Sequence, residues 1–169
     1  TEALLEYTLF SATLLPKEEY ENEIVKYVQQ LGITDYEIIE KEQGSIPMSC
    51  YPFWKKNTEK VLNIGTAGGW TKASTGYTFK NSDKKSMELV AFLQKETDLS
   101  KFHKKTKFWF YDLLLLDILD RKNELGASIF SSLFKKGSPA LIFKFLDEET
   151  TFAEDLKVVW KCPKMPFIN

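Results

Sequence analysis

The chain has 169 residues, 43% of them apolar, with 13 Phe, 7 Tyr and 4 Trp, which is enough to bury the core of one domain and excludes a disordered chain. Its 23 basic and 24 acidic residues leave a net charge of -1 and a pI near 5.9, so no global field attracts nucleic acid. Cys50 and Cys162 lie far apart with no second Cys or His at ligand spacing, which argues against a metal site and reads as two reduced thiols of a cytoplasmic protein.

The chain begins T-E-A-L-L-E, acidic and without a basic segment before an apolar one, so no secretory signal is read. It opens without Met on a strand already under way, as an excised segment of a longer protein would. Residues 4–11, rich in β-formers, predict that strand. Pro16 then opens a helix with Glu18 and Glu19 in its first turn, Ile24, Val25, Val28 and Leu31 on its apolar face and Gly32 at its end. Residues 36–40 predict a second strand, and Ile46-Pro47-Met48 an extended segment, because Pro47 biases its predecessor away from helix.

Residues 60–64 predict a buried strand that runs into Gly65-Thr66-Ala67-Gly68-Gly69-Trp70, and a helix is expected from residues 81–84 through Met87, Leu89, Val90 and Leu93. From about residue 101 the pattern is helical. The apolar stretch 108–119 carries Asp112 and Asp117 and is far short of the roughly 20 residues a spanning helix needs. Thr150 is expected to cap a last short helix, with Glu154 adding charge near that terminus. His103 sits in K-F-H-K-K and reads as a solvated imidazole with no chemistry assigned. The expected class is α+β: a strand-rich first half with crossing helices, then a helical tail.

The stretch 61–79, V-L-N-I-G-T-A-G-G-W-T-K-A-S-T-G-Y-T-F, is the most informative. Closely spaced glycines after a strand expose backbone amides to an anionic or polar cofactor, and they also serve a plain chain reversal. Ser74-Thr75-Gly76-Tyr77 favours the cofactor by placing hydroxyls and an aromatic ring before a helix. The stretch resembles the glycine-rich segment ending P-x-T-G-Y of flavin-dependent lycopene cyclases, which closes over FAD, with Ala73 where many of these enzymes have Pro. Gly44-Ser45-Ile46-Pro47-Met48 is similar to the family's G-x-x-P-M element beside the substrate tunnel. Residues 3–8, A-L-L-E-Y-T, resemble its acidic motif, with Glu6 at the essential carboxylate and Tyr7 in place of a second acid.

The resemblance covers nearly the whole chain in the family's order. It implies a partial FAD-dependent flavoprotein fold, with a mixed sheet and crossing helices over residues 1–100, forming the substrate sheet and the flavin-closing segment. Residues 101–169 are then a helical tail packing on it. The resemblance implies cyclisation of the end groups of lycopene without net redox change, Glu6 as the acid and an ordinary exposed strand residue as its alternative. It assigns FAD to Gly65, Thr66, Ala67, Gly68, Gly69, Thr75, Gly76 and Tyr77, and substrate to Pro47, Met48 and Trp70, although core packing also suits Trp70 and Tyr77. Reduced FAD, with NADPH as reductant, would stabilise the carbocation electrostatically.

Phe145-Leu146-Asp147-Glu148-Glu149-Thr150 looks closer to the acidic motif but follows the flavin segment, and a helix start explains it. The 169 residues hold no G-x-G-x-x-G turn for the adenosine pyrophosphate, so an amino-terminal dinucleotide-binding part is expected elsewhere in a parent protein and this portion is expected to be inactive alone. The basic and aromatic run 101–110 suits peripheral attachment to the inner face of a membrane, and equally a solvated face leading into a core helix. A flavin monooxygenase or reductase, and a carotenoid- or lipid-binding module without catalysis, are the rival readings.

Overall fold

The computed structural model describes residues 2–103 and 105–163. The chain divides into two compact units, Thr1–Ser45 and Ile46–Asn169.

In the first unit α1 spans Lys17–Gln30. Pro16 precedes it with no amide to leave unpaired, Glu18 and Glu19 face the positive end of the helix dipole, and Val28 is its buried residue. Gly32, at φ +72°, ends it in the left-handed conformation, as the sequence predicts. The lead-in folds back on α1 through Tyr7, whose ring meets Tyr20 edge-on at 6.0 Å, and the Leu15 amide donates to the Tyr20 hydroxyl at 3.3 Å. Lys17 and Lys41 both pair with Glu21, at 3.8 and 3.1 Å.

The expected mixed sheet, and with it the α+β partial flavoprotein fold, is not found: no strand occurs among the described residues. Residues 4–11, 36–40 and 60–64 are extended or irregular without a ladder. Strand propensity describes fitness for a paired, half-buried surface, and an unpaired stretch of β-formers gains nothing from it. Ile39 shows the result, standing 77% exposed where a sheet would have covered it.

The second unit is helical: α2 (Phe79–Leu93), α3 (Lys107–Arg121), α4 (Gly126–Lys136), α5 (Pro139–Leu146) and α6 (Phe152–Val159), with 3-10 turns at Phe53–Lys56, Gly65–Gly68, Leu99–Lys101 and Asn123–Leu125. Leu133 of α4, Ile142 of α5 and Val158 of α6 form a buried cluster, against which Leu141, Phe145, Leu146 and Cys162 pack. Burying each large aliphatic side chain contributes roughly 1.5–3 kcal/mol. Pro139 sits in the first turn of α5, where its missing amide costs nothing. The cap of α6 is Thr151, one residue beyond the expected Thr150. Its hydroxyl accepts from the Glu154 amide while Glu154 accepts from the Thr151 amide, a reciprocal capping box. Thr150 instead turns inward and donates to Asp155 at 2.6 Å.

Candidate functional site

The glycine-rich segment is a tight turn built on its own backbone. The Gly68 amide donates to the Ile64 carbonyl at 3.1 Å, the Gly69 amide to Thr66 at 3.1 Å and the Trp70 amide to Gly65 at 2.9 Å. A Cβ on Gly68 would lie 2.1 Å from the Asn63 carbonyl oxygen, so only glycine closes this turn. Asn63 is itself fixed, its amide donating to Asn57 Oδ1 at 3.0 Å. Trp70 is buried at 6% exposure, with its ring 6.2 Å from that of Phe102.

After Trp70 the chain makes a second loop. The Lys72 amide donates to the Tyr77 carbonyl at 2.9 Å and the Gly76 amide returns to the Lys72 carbonyl at 2.8 Å. Thr71 links this loop to the first through Thr66, at 3.3 Å, and to Thr78, at 2.9 Å. Gly76, at φ +73°, lies so close to Ile46 and Met48 that an added Cβ would be 3.3 Å from Ile46 Cγ2 and 3.4 Å from Met48 Sδ. Two of the predicted elements, the one ending in Pro47-Met48 and the glycine-rich one, therefore meet in one unit.

Whether these residues suit a cofactor is decided by what their amides are free to do. Those of Gly69 and Trp70 are spent on closing the turn. Gly65, Thr66 and Ala67 open it, and the first amides of such a turn lack partners inside it. Thr66 and Ala67 are exposed and small, as are Thr75 and the half-covered Gly76 beyond them, while the Tyr77 ring stands 48% exposed. Gly65–Ala67 are thus the part of the loop whose amides are left for a polar or anionic group, while Gly68 and Gly69 close the turn. Pro47 is exposed, Met48 is half-buried and Trp70 faces the core.

Beneath the loop lies a charged cluster that sequence reasoning missed. Lys72, only 4% exposed, reaches Asp112 of α3 at 2.9 Å and Glu148 at 3.1 Å. Asp112 is 7% exposed, and Glu148 is held at φ +61°. Removing one partner from such a buried set leaves an uncompensated charge and costs about 3–5 kcal/mol. Asp112 was the one visible signal, a carboxylate inside an apolar run. Alongside, the 1%-exposed Asp155 takes Lys107 at 2.5 Å and a bond from the Tyr111 hydroxyl at 3.1 Å. Burial, and then that carboxylate, push the Tyr111 phenol above its usual pKa.

The second acidic segment proves to be part of this framework. Asp147 pairs with Lys80, Glu149 with Lys84 at 2.6 Å, and the Lys84 ammonium also donates to the Asp147 carbonyl at 2.6 Å. Glu6 belongs to the other unit, where it is exposed and accepts from the Thr8 hydroxyl at 2.5 Å. Leu4 and Leu9 near it in sequence are exposed as well.

His103 is not the solvated imidazole expected. Its ring stacks on Trp54, centroids 3.9 Å apart and planes within 2°, and its Nε2 is buried without a partner. Burial, helped by Lys85, pulls its pKa down to about 4. Cys50 and Cys162 are free thiols, and burial pushes Cys50 up to about 11. Among the described residues no group of side chains could hold a metal ion and no helix is long and apolar enough to cross a membrane.

A family model described as lycopene cyclase protein matches residues 1–169, the whole chain. The chain belongs to the lycopene cyclase protein family. No curated protein and no solved structure matches it. Membership of the lycopene cyclase family places the chain in carotenoid biosynthesis.

Proposed function

We propose that the chain carries the acid and the flavin-contacting loop of an enzyme that cyclises the end groups of lycopene without net redox change. The support is the family match over residues 1–169 together with the packing of Gly76 on Ile46 and Met48. Glu6 donates a proton to a terminal double bond of the linear carotene. A neighbouring alkene then closes the ring on the resulting cation, and loss of a different proton restores neutrality. A carboxyl does this at neutral pH when apolar surroundings keep it protonated, here the polyene itself laid against Leu4, Leu5 and Leu9.

Gly65, Thr66 and Ala67 hold the polar edge of FAD, Thr75, Gly76 and Tyr77 border it, and Met48 and Pro47 face substrate. Reduced FAD, maintained by NADPH, supplies negative charge that a carbocation in a dry cavity requires. The 169 residues contain no G-x-G-x-x-G turn, so on this reading they bind FAD poorly alone. The substrate dissolves in lipid, and the enzyme meets it at a membrane surface.

The test is pigment analysis of a lycopene-accumulating bacterial host expressing the complete gene, with wild type and Glu6→Gln side by side. Ring-bearing carotene from the wild type and its loss in Glu6→Gln is the expected result. Unchanged lycopene despite good expression of the wild type overturns the reading, and persistent rings in Glu6→Gln overturn the role of Glu6.

A further inference from the structure

The backbone bonds that close residues 72–77 all meet at one residue. The Lys72 amide donates to the Tyr77 carbonyl at 2.9 Å, and the Thr75 and Gly76 amides donate to the Lys72 carbonyl at 3.3 and 2.8 Å. Lys72, Ala73 and Ser74 are buried, whereas Thr75 and Tyr77 are exposed. Whatever fixes residue 72 therefore sets where Thr75, Gly76 and Tyr77 are presented.

The Lys72 side chain is held by residues far away in sequence. Asp112 of α3 takes its ammonium at 2.9 Å, and Glu148, between α5 and α6, takes it at 3.1 Å. Phe108, in the run 101–110 of which Lys104 lies outside the described residues, sets its ring centre 5.9 Å from the same nitrogen. Glu148 reaches across from a left-handed backbone, φ +61°, which a glutamate enters only when its surroundings hold it there. The residues on either side anchor that turn, Asp147 on Lys80 and Glu149 on Lys84.

Stability alone does not call for such a set. Desolvation of Lys72, Asp112 and Glu148 offsets much of their attraction, and apolar side chains of equal volume often hold a fold as well. What matched charges add is a fixed direction for each member. We propose that Lys72 is a positioning residue: its ammonium, clamped by Asp112 and Glu148, holds residues 75–77 in place at the border of the flavin site. That the site takes flavin rests on the cyclase reading, while the clamp on the loop does not.

The experiment is Glu148→Gly. Glycine relaxes the main chain at this position and leaves Lys72 paired with Asp112, so the unfolding midpoint should stay near wild type. Hydrogen exchange of the full chain should nevertheless show the Lys72, Thr75 and Gly76 amides exchanging at least about tenfold faster, the loss of one charge-assisted bond, with the α4 amides unchanged. Glu149→Gln, which leaves both pairs of Lys72 intact, should match wild type throughout. FAD titrated into the product of the complete gene should show a loss of affinity in Glu148→Gly, set by the fraction of molecules whose loop has left its place. If circular dichroism shows that Glu148→Gly loses helix, Glu148→Gln replaces it.

Unchanged exchange at Lys72, Thr75 and Gly76, or an acceleration spread equally over α4, overturns the positioning role. Faster exchange of the loop with unaltered FAD affinity overturns its bearing on flavin. A wild-type product that binds no FAD overturns the cyclase reading alone, and the exchange rates then decide the clamp.

Discussion

Glu6, in the extended run at the start of the chain, meets the hydroxyl of Thr8 and is exposed, whereas the turn from Asp147 to Glu149 sets every carboxylate against an ammonium: Lys80, Lys72 and Lys84. Both look like acidic motifs in sequence. The three carboxylates of the turn are spent in ion pairs, and the Lys84 ammonium holds the Glu149 carboxyl below its usual range, whereas Glu6 makes no ion pair among the described residues. The comparison separates acids that hold a framework from one that the framework does not use.

The largest effect that sharpens this contrast is on turnover. Glu6→Gln in the complete gene is expected to lower ring formation by about 10²–10⁴-fold with the unfolding midpoint unchanged, and Glu149→Gln to leave it near wild type. Pigment quantified against enzyme level checks both, and equal losses would merge the two segments into one class.

Next in size is Lys72→Met, which strands Asp112 and Glu148 and should destabilise the chain by about 3–5 kcal/mol in urea unfolding. Wild-type stability in that variant would show that the framework does not depend on this cluster. Thr151→Ala removes the oxygen that caps α6 and should cost about 1 kcal/mol by the same measurement.

A further effect is on pH dependence. The folded state favours neutral His103, so its contribution is fully present above the ordinary pKa of 6.5 and is lost as pH falls towards about 4. A decline in the unfolding midpoint across that window, absent from His103→Gln, is the expected outcome.

The helices were legible because their signals are local. α1 shows Pro16, two acidic residues and Gly32 within one turn of its ends, and α3 shows a long apolar run interrupted only by Asp112 and Asp117. The sheet was misread because Ile38, Ile39, Val61 and Ile64 are good strand residues only when a partner covers them, and these stand exposed. The meeting of Gly76 with Met48 was legible only as motif order. The Lys72 cluster was not legible, since it joins residues 40 and 76 positions apart. His103 was misjudged from its lysine neighbours, because Trp54, far away in sequence, decides its surroundings.

Glu148 occupies a backbone conformation that glycine adopts freely and other residues enter at a cost of about 1–2 kcal/mol. Two forces therefore pull in opposite directions at this one position. Glycine there would relax the main chain but abandon Lys72, while aspartate would keep a charge that is one methylene too short to cross the same gap. The exchanges open to position 148 are consequently narrower than its partly exposed setting suggests. A change there bears on Lys72 as well, which ties a surface turn to the loop beneath which its side chain ends.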